Sequence, residues 1–196
     1  MSTPPTATGT DVGRCDWALS APDYVAYHDQ EWGNPLRGER AMFERMTLEG
    51  FQSGLSWLVI LRKRPAFREA FAQFDPERVA RFGDDDVARL LADAGIVRNR
   101  QKIEATIHNA GVVAGLDTPL DELLWSFAPD PDARRRPATL ADVPATTRES
   151  TAMAKELKRR GMRFVGPTTC YALMQATGLV DDHVQYCWRA GAGAAR

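Results

Sequence analysis

The chain has no apolar run approaching the roughly 18 to 20 residues that a membrane-spanning helix requires, so no membrane span is expected. Met1 to Gly13 is rich in Ser, Thr, Pro and Gly, and lacks both the basic stretch and the apolar segment of a secretory signal. This start reads as a disordered tail on a cytoplasmic protein, and residues 191–196, small in composition, as a frayed C-terminal tail. Cysteine is scarce. Cys15, Cys170 and Cys187 are odd in number and widely spaced, which argues against a disulfide framework and leaves thiols as ligands or core fillers in a reducing compartment. An excess of either charge is also missing: the net charge of −1 exerts no bulk pull on nucleic acid, so any contact with DNA must come from a local basic patch. Strand-like alternation is almost absent, and no internal repeat is visible.

What remains is helical periodicity, in a chain of 196 residues that is long enough to bury its own core. The expected fold is mainly α, a single domain over 14–190 that accommodates two packed lobes. From Glu39 to about Phe74 apolar residues recur at helical spacing, broken by Gly50, Gly54 and Pro65 into two or three helices. Asp75-Pro76 opens a short helix through Arg81, and Asp84 to Ala92 forms another. Gly95 ends it, and Arg98 to Lys102 leads into a longer helix through Val113, which gives a helix, a tight hairpin and a helix. Leu120 to Phe127 is a short helix and Asp130 to Pro137 a loop. Thr146 with Glu149 fits a capping box for a helix running to Gly161, and Val165 to Thr177 forms the last main helix, begun near Pro167.

Two constellations carry chemistry. Cys15-x12-His28 near the start and His183-x3-Cys187 near the end supply thiolate and imidazole, the ligands that tetrahedral Zn²⁺ prefers. Four such ligands leave no open position for a catalytic water, so the metal would be structural, with His183 and Cys187 presented on one side by a local helical turn. The other reading of these four residues is small buried thiols and hydrogen-bonded imidazoles. The second constellation is aromatic and acidic: Trp17, Tyr24, Tyr27 and Trp57, with Glu49 interrupting an apolar helical stretch. A carboxylate there is costly unless it is paired or serves a ligand; otherwise it faces water at a helix end, and the aromatics are ordinary core.

Arg14-Cys15-Asp16-Trp17, Tyr27-His28-Asp29-Gln30-Glu31-Trp32-Gly33, Leu48 to Trp57, and Phe164 to Tyr171 through Asp182-His183 together resemble the 3-methyladenine DNA glycosylase I family. These segments run in order across nearly the whole chain. The resemblance implies a helix-hairpin-helix DNA glycosylase-like fold with a zinc snap joining the terminal regions, its ligands Cys15, His28, His183 and Cys187. It implies a base pocket walled by Trp17, Tyr24, Tyr27 and Trp57, with Glu49 recognising the methylated adenine and carrying the catalytic role. It also implies a monomeric, monofunctional glycosylase acting on double-stranded DNA with alkylated adenine, without strand cleavage. DNA contact is expected at the hairpin, through Gly95, Val97, Arg98 and Arg100. Val97 replaces the usual second glycine there, and Asp181 and Tyr186 stand where the family usually has asparagine and glycine. Two other functions compete with this reading. One is a non-catalytic binder of damaged DNA with the same fold; the other is a zinc-dependent nuclease built on Asp181, Asp182 and His183.

Overall fold

A computed structural model describes residues 12–130 and 134–191. The expected tails therefore fall largely outside the described residues, as do 131–133 of the arginine-bearing loop. Among the described residues every regular element is helical: α1 Pro22–Gln30, α2 Glu39–Gln52, α3 Trp57–Ala70, α4 Pro76–Val79, α5 Asp84–Ala92, α6 Arg100–Ala114, α7 Leu120–Trp125, α8 Arg148–Arg159 and α9 Pro167–Ala176, with short 3₁₀ turns between some of them.

Helix α2 is the centre, packing against α3, α6, α7 and α9. Its residues from Met46 to Phe51 are all buried, which is why its apolar pattern spreads around the helix instead of forming a stripe. Phe51 of α2 meets Phe67 at a tilt of 60°, and Phe67, Phe71 and Phe74 then stack in sequence, with centroids of Phe71 and Phe74 5.8 Å apart and their planes at 12°. Each such side chain contributes about 1.5 to 3 kcal/mol on burial, and Phe71→Ala would remove about 3 to 5 kcal/mol.

Several expectations shift at their edges. Gly50 and Pro65 lie inside α2 and α3 and do not break them. A Cβ at Gly50 would meet the Phe164 Cβ at 3.4 Å, an ordinary van der Waals contact, and its backbone is not left-handed, so nothing there interrupts the helix. Pro65 removes the N–H that would bond the Leu61 carbonyl, a local loss outweighed by burial of Trp57, Ile60 and Phe67 on the same helix. The Asp75 side chain caps α4 by accepting from Arg78 N at 3.1 Å, but the helix ends at Val79 and not Arg81. The capping box of α8 lies one residue later than Thr146 and Glu149. Thr147 accepts from Ser150 N at 3.1 Å and Ser150 Oγ accepts from Thr147 N at 2.9 Å. Ser150 is fully buried, where the longer, charged Glu149 would be desolvated.

Helix α1 was not expected. Pro22 occupies its first turn, but Ala21 provides no side-chain cap and its apolar residues form no clear stripe, so local signals are weak. It is held by tertiary contacts instead: Tyr24 Oη accepts from Leu58 N at 2.8 Å, satisfying one orphan donor at the start of α3, and Arg62 pairs with Asp23 at 2.8 Å.

Candidate active site and metal centre

Helices α1, α2, α3 and α9 and the turn at Asp16–Ser20 enclose a cavity of about 440 Å³. Trp17, Tyr24, Tyr27, Glu49 and Trp57 all line it, so the five residues singled out as a pocket are brought together by the fold. Tyr27 and Trp57 lie 5.5 Å apart at 44°, and Trp17 meets Tyr24 edge-on at 5.6 Å. Aromatic faces in this arrangement offer stacking surface to a flat, electron-poor ring.

Glu49 is 5% exposed, so it does not face bulk water at a helix end. Burial pushes its carboxyl up to about 7, against the opposing pull of the Arg45 guanidinium. Arg45 does not hydrogen-bond to Glu49. It donates to the Tyr27 hydroxyl at 2.6 Å and to Glu31 Oε2 at 3.3 Å, and Glu31 is in turn clamped by Arg64 at 2.5 and 2.7 Å. This chain of charge fixes the Tyr27 ring and leaves the Glu49 oxygens uncommitted.

Cys15, His28, His183 and Cys187 are all buried, and their ligand atoms lie within 4.8 Å of one another. Cys187 Sγ is 3.3 Å from His28 Nε2 and 3.6 Å from His183 Nδ1, while Cys15 Sγ is 3.8 Å from His183 Nδ1. Sulfur and nitrogen ligands of tetrahedral Zn²⁺ stand about 3.5 Å apart, so the donor set and spacing fit such an ion. The other imidazole nitrogens are oriented from behind: His28 Nδ1 meets Asp29 at 2.8 Å, itself held by Arg14, and His183 Nε2 lies 3.3 Å from the Trp32 carbonyl. Gly33 adopts φ +78, and a Cβ there would come within 2.8 Å of His183 Nε2, so glycine is needed at that close approach. Contrary to expectation, His183 and Cys187 are not on a helical turn. A single tight turn, with Cys187 N donating to the Val184 carbonyl at 2.8 Å, brings them together, and Tyr186 at its tip donates to Asp16.

Trp17 and Trp32 connect cluster and cavity. Both line the cavity, Trp17 packs on His28 at 5.4 Å and Trp32 on His183 at 4.7 Å, so the Cys/His cluster braces the aromatic wall. The acidic residues beside the cluster are spent elsewhere: Asp181 accepts from Arg136 and His183 N, and Asp182 from Tyr171, Gln175 and Arg134. An open metal on Asp181, Asp182 and His183 is not what the fold builds.

The connection between α5 and α6 places Arg98, Asn99 and Arg100 at the surface, with Gly95 and Val97 half-buried beneath them. Asp93 accepts from Gly95 N at 2.7 Å, Asn99 caps α6 by accepting from Lys102 N at 3.1 Å, and no residue of the connection needs a left-handed backbone. Val97 is therefore tolerated where a glycine is usual. Arg100 pairs with Glu104 at 3.2 Å.

The profile of the methyladenine glycosylase family matches residues 17–190. The chain belongs to that family. It is 46% identical over 177 residues to DNA-3-methyladenine glycosylase 1 of Escherichia coli (strain K12), covering 89% of this chain and 95% of that protein. A crystal structure of 3-methyladenine DNA glycosylase I is similar at a TM-score of 0.85 and 45% identity, covering 90% of this chain and 98% of the other. A tyrosine-to-phenylalanine variant of a 3-methyladenine DNA glycosylase I, in complex with 3-methyladenine, aligns at a TM-score of 0.85 and 33% identity, covering 90% and 97%.

In this methyladenine glycosylase, part of the cavity wall escapes inspection of the sequence. Gln52, Ala172, Gln175 and Asp182 also line the cavity. Gln52 follows Glu49 by three residues and shares its helix face, a signal that was available. Gln175 had no such signal, because it sits in an otherwise apolar run and only the packing of α9 on α2 brings it to the cavity; Asp182 stands out in the sequence only as a metal ligand of a nuclease, a role the cavity does not give it.

Proposed function

We propose that the chain is a base-excision repair glycosylase that hydrolyses the N-glycosidic bond of 3-methyladenine in alkylated double-stranded DNA. The observation that carries this reading is Glu49, a buried carboxylate without a hydrogen-bond partner among the described residues, in an aromatic-walled cavity of about 440 Å³. Such a carboxylate is costly unless a cationic ligand arrives to pair with it.

A nucleobase methylated at N3 carries positive charge within DNA, and its glycosidic bond is already weakened. Reaching the cavity requires the nucleotide to leave the helical stack. Stacking on Tyr27 and Trp57 contributes about 0.5 to 2 kcal/mol per ring for a cationic heterocycle. Glu49 accepts from the exocyclic amine, and the arriving positive charge draws its proton off, so recognition is strongest with the carboxylate form. The C1′–N9 bond breaks, and its electron pair neutralises the departing base, which needs no added proton. Water supplies the oxygen that bonds C1′ and releases its proton to solvent. The oxocarbenium-like sugar is stabilised by nearby DNA phosphates. Among the described residues no lysine lines the cavity to form a Schiff base, in keeping with hydrolysis without strand cleavage.

Cys15, His28, His183 and Cys187 hold a structural Zn²⁺, which supplies a cross-link between the two ends of the chain and no chemistry at the sugar. The connection from α5 to α6 acts as a helix-hairpin-helix element, with Gly95, Val97, Arg98 and Arg100 meeting the phosphate backbone. The protein acts as a monomer in the cytoplasm. The test is chromatography of bases released from methylated DNA: wild-type protein yields free 3-methyladenine and Glu49→Gln loses most of it. Damaged-DNA binding without any released base, unchanged by Glu49→Gln, would make the protein a binder instead.

A further inference from the structure

The cavity wall opposite the α2 side chains carries an amide whose orientation is dictated by its neighbour. Gln175 on α9 donates from Nε2 to Asp182 Oδ2 at 2.9 Å. Asp182 is 2% exposed and fully engaged: the Tyr171 hydroxyl donates to the same oxygen at 2.5 Å, and Arg134 Nη2 donates to Oδ1 at 2.8 Å. An ionised carboxylate can only accept, so it holds the NH₂ end of the Gln175 amide and turns the carbonyl end away. No hydrogen bond reaches Gln175 Oε1 among the described residues, and Oε1 is not one of the sealed-off unpartnered polar atoms, so it is a free acceptor within reach of solvent on a residue that lines the cavity.

We propose that Gln175 is a specificity-determining residue which, with Glu49, makes the cavity select alkylated adenine over alkylated guanine. This inference rests on the reading of the cavity as a site for alkylated purines. Charge cannot make that choice, because adenine and guanine nucleotides methylated at N3 are both cationic. The group at C6 can: adenine presents an amine with two N–H donors, guanine a carbonyl oxygen. Two acceptors from different helices, Glu49 on α2 and Gln175 Oε1 on α9, satisfy the amine and repel the carbonyl. Asp182 polarises the amide so that its oxygen is a better acceptor, and Arg134 and Tyr171 keep Asp182 in place. A buried acceptor facing another acceptor is costly, which makes such discrimination larger than shape alone provides.

The experiment measures single-turnover release of 3-methyladenine and of 3-methylguanine from one methylated DNA preparation, for wild type, Gln175→Met and Asp182→Asn. The ratio of the two products does not depend on the fraction of protein that is folded, so partial unfolding does not obscure it. Gln175→Met keeps length and loses the acceptor, and the adenine-to-guanine ratio is expected to fall about 10-fold. Asp182→Asn can donate to Gln175 Oε1 and release the NH₂ end toward the cavity, so its ratio should fall at least as far. Ratios within roughly 3-fold of wild type in both variants overturn the inference, whatever the total rate. Wild-type protein that releases neither base would instead overturn the proposed activity, and this inference with it.

Discussion

Arg45 lies one turn before Glu49 on α2, yet its guanidinium donates to the Tyr27 hydroxyl at 2.6 Å and leaves the carboxylate without a hydrogen bond. Arg45 therefore tunes Glu49 through space while positioning a cavity wall. Replacing it by Met removes the charge that holds the Glu49 carboxyl down, so the acid limb of the excision profile, near pH 7 in wild type, should move to higher pH. An acid limb unmoved in Arg45→Met would show that Glu49 does not set it.

Glu49 should also cost stability. Burial raises its folded-state carboxyl from 4.5 to about 7, so between these values the folded state retains a proton that the unfolded state has released. Stability from this group is present below the unfolded value, falls as pH rises through the window, and is fully lost above it; the loss is about 3 kcal/mol. Glu49→Gln should melt higher than wild type at pH 8 and similarly at pH 4, while excising poorly. Equal melting at pH 8 would contradict the desolvation argument.

If the Cys/His cluster holds a structural metal, chelation should unfold the protein, as a global loss of helical signal. Strand scission lost with folding retained would point to a catalytic metal. Cys187→Ser should lower metal content and melting temperature together. Gly33→Ala should do so more mildly, since its Cβ crowds His183 and its left-handed backbone costs about 1 to 2 kcal/mol.

Arg98 is exposed just before the start of α6, and its replacement by Ala should weaken binding to DNA of any sequence. The slope of log affinity against log salt should fall by about one if a phosphate contact is lost. The ratio of products should not change. An unaltered salt dependence would remove Arg98 from the interface.

Helix α5 was legible to the residue, because Asp84 to Ala92 has a run of acids at its start and an apolar stripe. The start of α9 was legible because Pro167 sits where a helix tolerates proline. The convergence of Cys15, His28, His183 and Cys187 was legible because few residue types make good metal ligands. Helix α1 was not, since its folding depends on Leu58 and Arg62 of another helix. Nor was the turn that unites His183 with Cys187, because helical spacing and a tight turn put the same two residues together.

The sequence by itself determined the helical class, most helix positions, and which side chains have chemistry to offer, because periodicity and ligand type are local properties. Only the tertiary structure decided that Glu49 is desolvated, that Arg45 serves Tyr27, and that Asp182 holds the NH₂ end of the Gln175 amide. Desolvation and hydrogen-bond direction depend on neighbours supplied by other helices, and no spacing along one chain segment encodes them.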